Sequence, residues 1–120
     1  MSESGIKINL QTEELKYDLT PEKELLIYRI IQEAIRNIWK HSQATKAGVT
    51  ITSNEKQTYV KIYDNGKGFD LNNNSNFLEM GKLGLMGMRE RAHLLGGSLD
   101  IISKPEAGTV VKIILDQKNI

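Results

Sequence analysis

Residues 47–64, AGVTITSNEKQTYVKIYD, constrain the fold more than any other stretch of this chain. Apolar and polar residues alternate on both sides of a polar SNEK, the period-2 pattern of two half-buried strands joined as an antiparallel hairpin. In the second run Val60, Ile62 and Asp64 share one face, while Tyr59, Lys61 and Tyr63 share the other. If Val60 and Ile62 point into a core, Asp64 is carried to its inner edge, where an unpaired carboxylate is costly. The chain then continues as Asn65-Gly66-Lys67-Gly68, two glycines where one would turn it. Asp64 can end its strand in an Asx-turn by accepting from local backbone N–H groups. Alternatively, the bare backbone at Gly66 and Gly68 admits a flat ligand beside the carboxylate.

Elsewhere the periodicities are as clear. GIKINL alternates Ile6, Ile8 and Leu10 as a half-buried strand. Thr20 before Pro21 reads as an N-cap with proline at the first helical position. From there Ile27, Ile30, Ile31, Ala34, Ile35 and Ile38 recur at helical spacing, predicting about five turns to near His41. Residues 65–83 are rich in glycine and asparagine and read as a long loop. LMGMRERAHLLGG places Leu85, Met88, Ala92 and Leu95 on one helix face and stops at Gly96 and Gly97. SLDIIS and TVVKIIL are strands joined by a KPEAG turn. Five strands and two long helices in this order predict an α+β domain, a mixed sheet covered by helices on one face.

The 120 residues suit one domain, expected to span residues 1–120. A net charge of +1 supplies no strong field for nucleic acid or an anionic membrane. The absence of cysteine removes disulfides and thiolate metal sites and agrees with a reducing compartment. No apolar run reaches the ~18 residues of a membrane span, and the N-terminus lacks signal-peptide features. A cytoplasmic domain is expected, compatible with excision from a larger, membrane-anchored parent. A G-x-x-x-x-G-K-[ST] loop, a dinucleotide fingerprint, a zinc ligand set and a G-x-S-x-G elbow are all missing.

Three further clusters carry chemistry. Glu33, Asn37 and Lys40 fall at i, i+4 and i+7 and line one stripe of the long helix. Charge at that spacing is commonly a solvated face, yet oxygen ligands beside a lysine also suit a hydrated Mg²⁺ and phosphate. His41 follows at the helix end. In GKLGLMGM, Gly81, Gly84 and Gly87 recur where loop becomes helix, either a packing contact or exposed N–H groups for an anion. Thr109 opens the closing strand.

In order and separation, IYRIIQEAIRNIWKHSQA, DNGKGF, KLGLMGMRERAHLLGGSLDI and GTVVKIIL resemble the ATP-binding catalytic domain of sensor histidine kinases. KHS and GMRERA are similar to the branch that signals to response regulators with LuxR-type DNA-binding domains. The resemblance covers roughly residues 5–115 and implies a two-layer α/β sandwich of the Bergerat type, shared with gyrase-type ATPases. It implies ATP and Mg²⁺ as cofactors, with Asn37 ligating the ion and Glu33 holding its waters or polarising the reaction. Lys40 and His41 would contact phosphate, Asp64 would accept from the adenine amino group, and Gly66 and Gly68 would let the ring approach. Gly84 and Gly87 would open backbone around the phosphates, Thr109 would bond near adenine, and the 65–83 loop would act as a lid. Where many relatives carry a G-x-G, this chain reads Gly81-Lys82-Leu83-Gly84, and Trp39 is a bulkier residue expected to pack. The partner implied is a histidine-bearing dimerisation domain, absent from this chain because neither His41 nor His93 has the acceptor's context. A response regulator follows indirectly, and neither nucleic acid nor direct membrane contact is implied. Two other functions remain open: a serine kinase of the anti-sigma type or a gyrase-like ATPase on the same fold, and a nucleotide-gated binding module without kinase activity.

Overall fold

The computed structural model describes residues 7–12, 20–68 and 84–116. β2 (Lys46–Ser53) and β3 (Gln57–Asp64) form the expected hairpin, in antiparallel register with Val49 opposite Ile62. Asn54 closes its turn, its side-chain oxygen accepting from the N–H groups of Lys56 and Gln57, both at 2.8 Å. β4 (Gly97–Ser103) and β5 (Thr109–Asp116) form the second hairpin, and β1 (Lys7–Thr12) runs parallel to β2 at an edge. The strand order β1-β2-β3-β5-β4 sets β3 in the middle of a five-stranded mixed sheet.

Both helices lie on one face of that sheet. α1 (Pro21–Asn37) starts where expected, with the Thr20 hydroxyl accepting from the Lys23 N–H at 3.3 Å and Glu22 and Glu24 beside the positive end of the dipole. It buries Ile27, Ile30 and Ala34, and α2 (Leu85–Leu94) buries Leu85, Met88 and Ala92. Against them point Val49, Val60, Ile62, Leu99, Val111, Ile113 and Leu115. Each such aliphatic side chain contributes about 1.5–3 kcal/mol through burial, so the alternation in the strands and the stripes on the helices fix the same interior.

Three expectations need correction. The long helix reaches Ser42, but its last five residues, Ile38–Ser42, form a π-helical turn, and Gln43 ends it in the left-handed region at φ 57°. Trp39 is expected to pack but is 49% exposed, because Ile38 holds the core-facing position and the next residue of the turn is rotated away from it. Leu10, on the edge strand β1, is 66% exposed. Ile6 and residues 69–83, most of the expected lid, lie outside the described residues.

Candidate functional site

Because β3 is central, its last residue is delivered between two neighbours, Ala47 on β2 and Thr109 on β5. The inward parity of Val60 and Ile62, 0% and 1% exposed, carries Asp64 to the end of the core. One Asp64 carboxylate oxygen, Oδ1, accepts from the Gly66 N–H at 2.7 Å. The Asx-turn reading is therefore realised, and among the described residues the second oxygen has no hydrogen-bond partner. Burial pushes the Asp64 carboxyl above its ordinary value of 3.8, and the Gly66 N–H offsets part of that rise.

Asp64 lines a cleft between the sheet and both helices that is partly open to solvent. Its lining comes from the sheet at Ile62 and Val111, from α2 at Leu85, and from α1 and the π turn at Ala34, Asn37, Ile38, His41 and Ser42. The end of this turn is tied down by the Ser42 hydroxyl, which donates to the Ile38 carbonyl at 2.6 Å and accepts from the Ala44 N–H at 3.1 Å.

Of the residues singled out from sequence, Asn37, His41, Asp64, Gly68 and Thr109 line this one cleft. Glu33, Lys40, Gly66, Gly84 and Gly87 do not. Glu33 stands against the start of α2, where a Cβ on Gly84 would come within 2.9 Å of its Oε1. Gly84 caps α2 at φ 65° with no side-chain cap, and Gly87 sits in the first turn with open space beside it but for Arg91 Nη1 at 3.7 Å. Lys40 is exposed on the π turn.

Packing by itself requires the two glycines after Asp64. A Cβ on Gly66 would overlap the Ser42 carbonyl, and one on Gly68 would overlap the Lys104 carbonyl. Residues 65–68 are stitched to their surroundings: Lys67 N donates to Ser42 O at 2.7 Å and Glu106 N to Lys67 O at 2.6 Å. Asn65 Oδ1 accepts from the N–H groups of Thr45 and Lys46 at 3.0 and 2.9 Å. Gly68 also sits at φ 60°, so Gly68→Ala should destabilise the domain by roughly 3 kcal/mol through backbone strain and overlap, read as a fall in the urea midpoint. An unchanged midpoint would show that the 104–108 turn yields freely.

Sequence reasoning missed three residues. Lys67 and Ser42 line the cleft, the first flagged only by its place between two glycines. Ser103, buried at the end of β4, is bonded to Thr109. Among the described residues no group of three or more His, Cys, Asp or Glu could hold a metal ion, and no helix is long and apolar enough to cross a membrane.

The mixed five-stranded sheet with helices on one face has the fold seen in solved histidine kinase structures. The blue-light activated histidine kinase EL346 of Erythrobacter litoralis superposes with a TM-score of 0.78 at 22% identity, covering 97% of this chain and 37% of that one. Residues 22–119 match the Histidine kinase-, DNA gyrase B-, and HSP90-like ATPase family, HATPase_c, and the chain belongs to it. Its curated relatives include the signal transduction histidine-protein kinase/phosphatase DegS of Brevibacillus brevis, 40% identical over 90 residues. The sensor protein VraS of Staphylococcus saprophyticus is 39% identical over 87 residues. These matches cover 75% and 72% of this chain but only 22% and 24% of the two relatives, so the chain spans under a quarter of their length.

Proposed function

We propose that this chain is the ATP-binding catalytic domain of a sensor histidine kinase, donating the γ-phosphoryl group of ATP to a histidine on a separate dimerisation domain. The observation that carries the reading is the cleft itself: an inward carboxylate, Asp64, at one end of an apolar slot whose other wall carries Asn37 and His41. The residues suit ATP·Mg²⁺. Ile38, Ile62, Leu85 and Val111 offer apolar surface to a flat base and exclude water from it. Asp64 accepts from the exocyclic amino group, and Thr109 stands beside it on the neighbouring strand. Asn37 supplies a side-chain oxygen suited to a hard cation, and His41, Lys40 and Lys67 supply cationic or donor groups for phosphate. Glu33, packed at the start of α2, would hold the ion's waters, and the N-terminus of α2 at Gly84 and Gly87, which has no side-chain cap, would suit phosphate. Bound ATP·Mg²⁺ supplies the phosphoryl group and neutralises charge developing on it; the protein contributes position and electrostatics.

The acceptor belongs to another domain, and the response regulator is reached through it. Mixing the chain with a histidine-bearing helical hairpin from a relative and γ-labelled ATP should place acid-labile label on the hairpin. ATP binding without such label would leave a nucleotide-gated binding module, and label on serine would point to the anti-sigma type.

A further inference from the structure

Ser103 lies on β4 with Leu99 and Ile101 on the same inward face, and is 7% exposed. Its hydroxyl oxygen is 3.1 Å from the Gly108 carbonyl and 2.8 Å from Thr109 Oγ1. A carbonyl only accepts, so the single Ser103 proton goes to Gly108. The proton between the two hydroxyls must then come from Thr109, which leaves Thr109 only lone pairs to present toward the cleft it lines. Thr109 is the cross-strand partner of Asp64, so two acceptors stand side by side at the end of the slot.

We infer that Ser103 is a positioning residue that makes the site selective for a 6-amino purine over a 6-oxo purine by fixing the direction of the Thr109 proton. This rests on the reading of the cleft as a purine nucleotide site. An exocyclic amino group offers two N–H donors to two acceptors, whereas a 6-oxo group offers a third acceptor and is repelled. Without Ser103, the Thr109 hydroxyl turns and donates into the cleft, and that repulsion is relieved. Ser103 touches no nucleotide; it acts only through Thr109.

The test is calorimetric titration of the folded chain with ATP and with inosine triphosphate, which differs at that edge. Ser103→Ala should lower the ATP-to-inosine-triphosphate affinity ratio by about tenfold, the size of one reversed hydrogen bond, while triphosphate affinity stays unchanged. Ser103→Thr, which keeps the hydroxyl, should restore the ratio, and in a Thr109→Val background Ser103→Ala should add nothing. If the alanine variant does not fold, Ser103→Cys, a weak donor of similar shape, should show the same change in smaller degree. A wild-type preference for ATP that persists unchanged through these variants overturns the role of Ser103 and leaves the purine reading standing. Wild-type protein that binds neither nucleotide overturns both.

Discussion

Asp64→Asn should weaken ATP binding by roughly 100-fold, the scale of a hydrogen bond to a charged group turned unfavourable, while leaving inorganic triphosphate binding unchanged. The geometry explains why so conservative a change matters. Asp64 Oδ1 accepts from the Gly66 N–H at 2.7 Å, and an asparagine must keep its one oxygen there to satisfy that donor. Its amide nitrogen then occupies the cleft-facing position and presents donors to an amino group. The same substitution should raise the melting temperature of the nucleotide-free domain at neutral pH. Burial raises the Asp64 carboxyl above 3.8, so the contribution of this group to stability is full in acid, below the unfolded value. It is lost as pH rises through the folded value, and the ionised carboxylate then weighs against folding. The advantage of the variant should therefore be present at neutral pH and fade as pH falls into the ordinary carboxylate range. It should be modest, since Asp64 is only half-buried and keeps some water. ATP affinity of the wild type should fall over the same acidic range as the acceptor is protonated. Equal loss of ATP and triphosphate binding would remove the adenine contact, and a variant less stable than wild type at pH 7 would remove the burial argument.

The parity of a strand made much of this legible. Val60 and Ile62 announced that Asp64 faces inward, and the structure places it there. The same count along β4, Leu99-Ile101-Ser103, would have flagged Ser103 as a polar side chain on a buried face. Helical spacing likewise anticipated Ile27, Ile30 and Ala34, and Leu85, Met88 and Ala92. What sequence could not report is contact between segments far apart in the chain. Gly66 and Gly68 read as room for a ligand, and the sequence did not show that the positions their side chains would take are also filled by the backbone of Ser42 and Lys104. That demand comes from how the π turn and the β4–β5 hairpin meet the end of β3, and no local pattern encodes it. The π turn was equally hidden, because Ile38 continues the apolar stripe whichever pitch the backbone adopts. It carries His41 and Ser42, which line the cleft with Asn37.

Asn37→Ala should abolish the Mg²⁺-dependent part of ATP binding, at least about 100-fold, and leave the fold intact. Asn37 is the last residue of α1, one turn beyond Ala34, and lines the cleft wall rather than the core. Alanine is the better helix former, so the far-ultraviolet circular dichroism of the folded domain should be kept. The expected loss lies with the ion, because a hard cation needs oxygen ligands and the described residues hold no cluster of carboxylates to replace this amide. Titration of ATP with Mg²⁺ and with chelator separates the terms. In the wild type the two conditions should differ, and in the variant they should converge on the weaker value. Adenosine, which carries no phosphate, should bind both proteins alike, since its contacts lie at the Asp64 end of the slot. Unchanged ATP affinity with Mg²⁺ in the variant would take the ion away from Asn37, and a loss of adenosine binding would show that Asn37 shapes the cleft as a whole.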